Sequence, residues 1–498
     1  MRLRELIEGM TIREFQGDQD PEISGIAYDS RRVRPGNLFV ALRGHRQDGH
    51  AYIGDAVSRG AAGVVSELPL SPDGGEQKNR LPMIQVPDAR RALSRLAVRF
   101  FDAPFKTMNL IGITGTNGKT TTAYLLESIL VAAGKQPGII GTINYRFSGQ
   151  VLEAPVTTPE SLDLMQTLRR MKDSGVTDVV MEVSSHSLDQ GRVRDCPFQV
   201  AVFTNLSRDH LDYHRSMEAY FEAKARLFRS SGQREEYSPA HAVINVDDPK
   251  GRELIRLTKA GVTTYGVEGR CQIRADDVHL SRGGLKARLI TPAGEIDIVS
   301  PLIGAHDIYN IMAAAGAALA TGIDLNAIAS GLGRLTGVPG RLEMVRNRRA
   351  LAIVVDYAHT PDALLKALNA VRLLTTGRVI TVFGCGGDRD RGKRREMGRV
   401  AGMGSDRVFI TSDNPRTEDP AAIAAQIEKG VIESGIREYV LDLDREQAIR
   451  RAVKMADRAD AVLIAGKGHE TYQIIGHEKR PFDDRLVAAE AANESGDG

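Results

Sequence analysis

A glycine-rich segment, GITGTNGKTTT at residues 112–122, carries the clearest chemistry in the sequence. It follows an apolar run and precedes a helical pattern, so its backbone N–H groups can surround an anion at the positive end of a helix. Lys119 adds a full charge, and Thr120 adds a hydroxyl that can bind Mg²⁺. The strict G-x-x-x-x-G-K-[ST] pattern is not met, because Ile113 occupies its first position. The order of strand, loop and helix nevertheless predicts a nucleoside triphosphate site.

Polar groups suited to metal binding follow two later apolar runs. The segment DVVMEVSSHSLDQGR ends a predicted strand at Glu182, and FTNLSRDHLDYH ends another shortly before His210. A carboxylate and a neutral imidazole at such strand ends can serve a metal beside a phosphate loop. Lys224, in the helical pattern YFEAKARLF, is on residue chemistry alone a surface lysine whose stem packs on apolar neighbours.

An arginine behind a proline is the third feature. Arg416 follows Pro415 in SDNPRTEDP, a turn-forming segment after the apolar run RVFI. A guanidinium binds a carboxylate through two parallel hydrogen bonds, and a rigid preceding residue lowers the cost of ordering it. Residue chemistry alone leaves two interpretations open for Arg416: a solvated loop arginine, or a group that receives an anion.

These residues lie at the ends of predicted strands. Strand and helix patterns alternate from about residue 89 onward, which predicts a largely parallel sheet covered by helices on both faces. The stretch 262–303 instead alternates like a small antiparallel sheet, and 335–343 looks like a hinge, after which the α/β alternation restarts. Ligands bind at the strand ends of open α/β sheets. We predict three domains, at 1–88, 89–338 and 339–498.

Composition narrows the classes of protein. A chain of 498 residues suggests several domains, and its net charge of +2 gives no electrostatic reason to expect a nucleic-acid surface. Three widely spaced cysteines without a CxxC pair fit a reducing cytosol. The start of the chain lacks a signal-peptide pattern, and no apolar run is long enough to span a membrane. We expect a cytoplasmic protein that neither binds nucleic acid nor inserts into membranes.

Several segments together resemble the Mur ligase family of peptidoglycan synthesis. They occur in the family's order and over essentially the whole chain: TGTNGKTTT, EVSSHSLDQGR, FTNLSRDHLDYH, YFEAKARLF, GAHDIYNIMAA, GVPGRLE, DYAHTPDAL and GKGHE. The segment at 29–50 looks like the nucleotide-sugar domain of the member that adds the third residue to UDP-N-acetylmuramoyl-L-alanyl-D-glutamate. The resemblance implies an N-terminal UDP-binding α/β domain, a central P-loop ATPase α/β domain with a small antiparallel sheet, and a C-terminal Rossmann-like domain.

The resemblance also implies an activity and its site residues. The chain would be a monomeric, ATP-dependent ligase that adds meso-diaminopimelate through an acyl phosphate. The implied catalytic residues are Lys119, Glu182, His210 and Lys224. The implied ligands of two Mg²⁺ ions are Thr120, Glu182, His210 and a carbamylated Lys224. Implied ATP contacts are Gly115, Thr116, Asn117, Gly118, Lys119, Thr120, Thr121, Asn310, Arg341 and Asp356. Implied UDP-muramyl-dipeptide contacts are Ser30, His45, Arg46, Gln47, Thr157, Thr158, Ser184, Gln190 and Arg192. Implied diaminopimelate contacts are Arg389, Asp413, Asn414, Pro415, Arg416, Gly466 and Glu470.

Three alternatives compete with this interpretation. The same ligase could use L-lysine, although lysine-adding members generally lack the arginine of DNPR. Folylpolyglutamate synthetases share the central and C-terminal architecture but not the N-terminal domain. A non-catalytic ATP-dependent switch that binds precursors should have lost Glu182, His210 or Lys224, and all three are present.

Overall fold

The computed structural model describes residues 1–44, 47–69, 81–229, 239–281 and 283–494. Their main segments form two compact units. The first comprises Met1–Ile111 and Gln136–Gln199, and the second comprises Gly112–Lys135, Val200–Arg229 and Ala240–Gly498. His45 and Arg46, both predicted UDP contacts, lie outside the described residues. The domain boundaries predicted after residues 88 and 338 stay predictions.

Helices and strands alternate along most of the described chain, as the sequence predicts. The helices are α1 Leu3–Ile7, α2 Ile53–Ser58, α3 Ala89–Phe100, α4 Lys119–Ala132, α5 Ser161–Asp173, α6 Ser185–Asp189, α7 Leu211–His214, α8 Met217–Ala225, α9 Pro249–Leu257, α10 Asp307–Ala320, α11 Leu325–Arg334, α12 Pro361–Arg372, α13 Lys393–Gly404, α14 Pro420–Glu433, α15 Arg445–Met455 and α16 Asp484–Glu494. Three short 3₁₀ turns cover Ser30–Arg32, Gly49–Tyr52 and Pro104–Thr107.

The strands are β1 Glu14–Gln16, β2 Gly25–Ala27, β3 Asn37–Val40, β4 Gly63–Ser66, β5 Met83–Gln85, β6 Asn109–Thr114, β7 Pro137–Ile140, β8 Asn144–Phe147, β9 Gln150–Glu153, β10 Asp178–Glu182, β11 Phe198–Phe203, β12 His241–Asn245, β13 Gly261–Tyr265, β14 Arg274–Ser281, β15 Gly284–Thr291, β16 Gly294–Ser300, β17 Glu343–Met344, β18 Ala352–Asp356, β19 Val379–Phe383, β20 Arg407–Ile410, β21 Tyr439–Leu441, β22 Ala461–Ala465, β23 Tyr472–Ile475 and β24 Glu478–Pro481.

The first unit is built on short parallel strands. Strands β2, β3, β4 and β5 pair in parallel, and β1 joins β5 antiparallel at one edge. Helix α3 begins after Asp88, whose carboxylate accepts the N–H of Arg91, and it buries a stripe that includes Leu93 and Leu96. Farther along the chain β10 pairs in parallel with β7, and β7, β8 and β9 continue antiparallel.

The second unit contains the predicted small antiparallel sheet and a large parallel one. Strands β14, β15 and β16 form the antiparallel sheet. The sequence predicts that this antiparallel sheet starts at residue 262. That start is wrong, because Gly261–Tyr265 pairs in parallel with β12. Toward the C-terminus the strand order is β17-β18-β22-β19-β20-β21, with β17 antiparallel and the others parallel. The sequence therefore predicts the α/β class and the restart of the alternation correctly.

The parallel sheet near the C-terminus is buried on both faces. Strands β18, β19 and β22 read AIVVD, VITVF and AVLIA, and nearly every residue is inaccessible to solvent. Near-continuous apolar strands of this kind require cover on both faces, and separate apolar clusters with α12–α14 and with α15–α16 provide it. Among the described residues, none of the helices has the length and apolarity needed to cross a membrane.

Candidate active site

The phosphate loop connects β6 to α4. Gly115 and Gly118 both have positive φ, at +149° and +88°, and a Cβ added to Gly115 would overlap the hydroxyl oxygen of Thr204. Lys119 begins α4 and its Nζ donates to the carbonyls of Gly115 and Thr116 at 2.9 and 3.0 Å. Glycine is therefore required here both by backbone conformation and by close approach. The result is a tight loop ahead of a long helix, as the sequence predicts.

Lys224 lies beneath this loop. Its side chain is 1% exposed, its Nζ donates to the Gly115 carbonyl at 2.8 Å, and it lies 4.5 Å from the centre of the Tyr220 ring. The interpretation as a surface lysine is wrong, because the apolar neighbours in YFEAKARLF belong to the interior. Burial lowers the pKa of Lys224 well below its usual range; the charge of Lys119 adds to this shift, and that of Asp209 opposes it.

His210 stands beside an acidic partner that sequence reasoning did not assign. His210 has a φ of +55°, and its Nε2 lies 3.4 Å from Asp209 Oδ2. His359 Nε2 approaches the same oxygen at 3.8 Å. Burial alone would raise the pKa of Asp209, but hydrogen bonding from His359 and the charges of His210, His359 and Lys393 lower it well below its usual range. A carboxylate beside a metal-binding imidazole fixes the ring's orientation.

Glu182 ends β10 in the first unit, as predicted, and it is 2% exposed. Its carboxylate accepts the N–H and the hydroxyl of Thr142, both at 2.9 Å. Among the described residues, no group of three or more His, Cys, Asp and Glu side chains is arranged to hold a metal ion. The implied ligand set includes a threonine and a modified lysine, so this finding does not test it.

Most residues predicted to contact the muramyl dipeptide form one hydrogen-bonded group in the first unit. Arg192 donates to the Thr158 carbonyl at 2.9 Å and to Gln190 Oε1 at 2.7 Å. The Ser184 N–H donates to Thr158 Oγ1 at 3.0 Å. Thr157 is linked to this region through Thr142, with the two hydroxyl oxygens 3.2 Å apart. Thr157, Thr158, Ser184, Gln190 and Arg192 therefore lie close together in the first unit.

The predicted uridine contacts are separate from that group. Ser30 begins a 3₁₀ turn and is buried, whereas Gln47 is exposed and its carbonyl accepts the Gly44 N–H at 2.9 Å. In the part of the chain that the structure describes, neither residue is hydrogen-bonded to the dipeptide group. Their role stays a prediction.

Two of the three predicted nucleotide contacts outside the phosphate loop, Arg341 and Asn310, lie against the start of α4. Arg341 Nη2 donates to Thr120 Oγ1 at 3.2 Å, and its guanidinium lies 4.6 Å from the centre of the Tyr357 ring. A Cβ on Gly118 would overlap Asn310 Oδ1. Asp356 Oδ2 accepts the Leu342 N–H at 2.7 Å, and burial raises the pKa of this carboxyl although Arg341 opposes the shift. Arg341 and Asn310 therefore lie at the beginning of α4, and Asp356 lies against the segment after the predicted hinge.

Three loops converge at the carboxyl ends of β19, β20 and β22. Their backbones approach so closely that a Cβ on Gly384 would overlap the Thr411 carbonyl, and one on Gly387 would overlap the Pro415 carbonyl. Gly466, with a φ of +114°, packs against the carboxylate of Asp413. This convergence brings together most residues predicted to contact diaminopimelate.

Arg416 is a partly buried residue of the β20 loop. Its φ is +51°, its N–H donates to the Ile474 carbonyl at 3.1 Å, and its Nη1 donates to the Gly387 carbonyl at 2.8 Å. Among the described residues Arg416 has no carboxylate within ion-pair distance, so much of its guanidinium can receive an anion. Arg389 is exposed and donates weakly to the Asp388 carbonyl at 3.3 Å. The interpretation of Arg416 as a fully solvated loop arginine is therefore wrong, because the side chain is partly buried and hydrogen-bonded.

Two buried cations of this region were missed by sequence reasoning. Lys467 is fully buried and donates to Asn414 Oδ1 at 3.1 Å and to Glu470 Oε2 at 3.0 Å. Arg445 forms a fully buried ion pair with Asp484 and also donates to the carbonyls of Ser412 and Ala465. Lys467 could have been noticed, since it directly follows a buried parallel strand in GKGHE. Arg445 gives no such signal, because it begins an ordinary charged helix.

Three family models match the chain in sequence order. Residues 22–101 match the model described as Mur ligase family, catalytic domain, residues 113–318 match the Mur ligase middle domain, and residues 340–468 match the Mur ligase glutamate ligase domain. A protein of Geobacter metallireducens is 48% identical, with 99% of both chains covered. A protein of Geobacillus kaustophilus is 47% identical, with 96% of both chains covered. Both are named UDP-N-acetylmuramoyl-L-alanyl-D-glutamate–2,6-diaminopimelate ligase.

Solved structures give the same picture of the fold. A solved structure of a ligase with that same name is 35% identical and has a TM-score of 0.69. The match covers 99% of this chain and 98% of the chain in that structure. A folylpolyglutamate synthase of Mycobacterium tuberculosis solved with ADP is 20% identical, with a TM-score of 0.61, and covers 75% of this chain. The second similarity shows a shared fold and no more.

Proposed function

This chain belongs to the Mur ligase family, and from that premise we propose that it adds meso-diaminopimelate to UDP-N-acetylmuramoyl-L-alanyl-D-glutamate in peptidoglycan biosynthesis. It is an ATP-dependent, amide-bond-forming ligase. The observation that carries the substrate assignment is the 48% identity, over essentially the full length of both chains, to a ligase named for this reaction. The domain boundaries at 1–88, 89–338 and 339–498 stay part of the proposal; three family models match in the same order, and the first of them extends to residue 101.

The chemistry requires activation of a carboxylate. Its oxygen is a poor leaving group, so transfer of the ATP γ-phosphoryl group converts it into an acyl phosphate and releases ADP. The amine then attacks the acyl carbon, and phosphate leaves as the amide bond forms. Lys119 and the backbone N–H groups that follow Gly115 would stabilise the charge on the phosphoryl group. Arg341, which already contacts Thr120, would bind near the same phosphates.

Mg²⁺ binding is part of this proposal. Two bound Mg²⁺ ions would neutralise and orient the phosphoryl oxygens. Thr120, Glu182, His210 and Lys224 are the proposed ligands, and they suit a hard cation only if Lys224 carries a carbamate, because an amine offers no oxygen. The burial of Lys224 and its lowered pKa support this modification, since a neutral amine is the form that reacts with CO₂. Asp209 would hold the His210 ring in orientation.

The other predicted contacts are carried forward as proposals. The hydrogen-bonded group around Thr158 and Arg192 would bind the dipeptide portion, and Ser30 with residues 45–47 the uridine end. Arg416 and Arg389 would bind the distal carboxylate of diaminopimelate, and Glu470 its distal ammonium. Monomeric state, cytoplasmic location and the absence of nucleic-acid and membrane partners remain part of the proposal, consistent with small-molecule substrates.

Product formation tests the function. Purified protein would be incubated with ATP, Mg²⁺ and the UDP-muramyl dipeptide, with either meso-diaminopimelate or L-lysine in separate reactions. We expect a tripeptide mass with meso-diaminopimelate and one phosphate released for each product. Product with lysine alone would retain the ligase and reject the assigned amino acid. Nucleotide binding without any product would favour the non-catalytic switch.

A further inference from the structure

The fully buried Lys467 lies between two side chains assigned above to the amine-donating amino acid. It directly follows Gly466, so it stands at the carboxyl end of β22, where the three loops converge. Its Nζ lies 3.1 Å from Asn414 Oδ1 and 3.0 Å from Glu470 Oε2. Burying an ammonium group is costly unless charge and hydrogen bonds replace its hydration, so the position of Lys467 depends on both partners.

Asn414 completes a triangle with these two residues. Its Nδ2 donates to Glu470 Oε2 at 2.8 Å, and its Oδ1 also accepts the Ile474 N–H at 2.9 Å. Lys467 and Asn414 therefore hold the same oxygen of Glu470. In the described part of the chain no hydrogen bond reaches the other oxygen, Oε1, and the Glu470 side chain is 14% exposed. Oε1 thus keeps its hydrogen-bonding capacity for a ligand.

Charged side chains of both signs surround the triangle. Lys467 and Arg445 are positive, whereas Asp413, Glu470 and Asp484 are negative, and all five side chains are buried or nearly so. An ammonium group brought by a ligand would pair with Glu470 Oε1, and a neutral or anionic group there would leave this oxygen without a charged partner.

We propose that Lys467 is a positioning residue that, through Glu470, makes the amino-acid site select for a second ammonium group. The inference rests on the proposed function. Lys467 contacts no reacting atom in this account. Its hydrogen bond holds Oε2, so that Oε1 faces the ligand in one orientation.

The test compares two amino acids that differ only at the distal end. Meso-diaminopimelate carries the second ammonium, and L-2-aminopimelate lacks it. In Lys467→Met we expect the KM for meso-diaminopimelate to rise about tenfold, as for loss of one charge-assisted contact, and the KM for ATP to stay within about twofold. The preference for meso-diaminopimelate over L-2-aminopimelate in kcat/KM should fall by a similar factor, which a general loosening of the loops would not produce.

Lys250→Met is the matched control. Lys250 also pairs with a glutamate three residues later, at 2.6 Å from Glu253 on α9, and the variant should keep the full preference. If the Lys467→Met variant does not fold, Lys467→Gln replaces it, and we expect the same loss of preference for meso-diaminopimelate. An unchanged preference, an equal loss for both amino acids, or failure of both Lys467 variants to fold would overturn the inference. Failure of the proposed function is distinguishable, because the unsubstituted enzyme would then form no tripeptide with meso-diaminopimelate.

Discussion

Single side chains in this protein owe their roles to burial that the sequence reveals only in part. Arg416 is recognisable because a proline precedes it and a strand ends before it, and the structure shows its guanidinium anchored to the Gly387 carbonyl. Lys224 is different, since apolar neighbours suit both a surface lysine with a packed stem and a buried one. Only the tertiary structure decides, and it places the amine against the phosphate loop.

Arg416→Ala tests the assignment of the distal carboxylate. Loss of a charged, bidentate contact is worth about 1.5–3 kcal/mol, so we expect the KM for meso-diaminopimelate to rise about tenfold to a hundredfold. The KM for ATP should stay nearly constant, because Arg416 contacts the loops after β19 and β23 and not the phosphate loop. Steady-state kinetics with each substrate varied in turn provides the measurement. Equal rises in both KM values would refute the assignment.

Carbamylation of Lys224 has a direct pH signature. An ordinary lysine with a pKa of about 10.4 is almost fully protonated at pH 7.5 and reacts little with CO₂. Because burial lowers the pKa of Lys224, its neutral fraction is larger there, and carbamate should form near neutral pH and disappear as the pH falls through the lowered pKa. We expect a carbamate resonance in ¹³C NMR spectra recorded with labelled bicarbonate.

The Lys224→Arg variant is the control for that resonance, because it keeps a cation but cannot form the carbamate. A resonance that persists unchanged in this variant would assign the carbamate to another amine. Absence of the resonance from the unsubstituted protein at pH 7.5 would remove the modification from the account.

At the scale of elements, the ends of parallel strands organise the site. Their apolar sequences are long and their turns rich in glycine, which is why β6, β10, β18, β19, β20 and β22 could be predicted. The start of the antiparallel sheet was mispredicted, because a short alternating stretch does not reveal whether its partner runs parallel or antiparallel. The close approach of the loops was also beyond prediction, since it depends on contacts between residues far apart in sequence.

Gly115→Ala should disable the phosphate loop. The residue has a φ of +149°, and a Cβ would overlap Thr204, so strain and overlap act together. We expect ADP affinity, measured by calorimetry, to fall at least about tenfold. Gly134→Ala is the matched control, because Gly134 follows α4, also has a positive φ of +72°, and faces open space. Equal affinity in the two variants would contradict the account of the loop.

The Arg445–Asp484 ion pair joins the loops after β20 and β22 to the start of α16. Breaking such a buried pair leaves one charge uncompensated, so Arg445→Met should lower the free energy of unfolding by about 3–5 kcal/mol. The double variant Arg445→Met with Asp484→Leu should recover much of the loss, because it removes both charges. Denaturant unfolding monitored by circular dichroism measures both variants. A loss below about 1 kcal/mol in the single variant, typical of exposed pairs, would contradict this role.

At the scale of the whole molecule, the order of the motifs was more informative than any one of them. A phosphate loop alone is shared by motors, switches, kinases and ligases, whereas eight segments in a fixed order indicated one family, which full-length relatives then established. Composition bore on the class of protein, since a net charge of +2 gives no electrostatic reason to expect a nucleic-acid-binding surface. Lys467 and Arg445 were not predicted, because their partners come from other loops and helices.

The most direct test of the central claim is a competition between two amino acids in a single reaction. The protein would receive ATP, Mg²⁺, the UDP-muramyl dipeptide, and equal concentrations of meso-diaminopimelate and L-lysine, with products identified by mass spectrometry. We expect the diaminopimelate tripeptide to predominate, because the proposed role of Arg416 is to bind the distal carboxylate that lysine lacks. A predominance of the lysine tripeptide, or a mixture near equality, would contradict it.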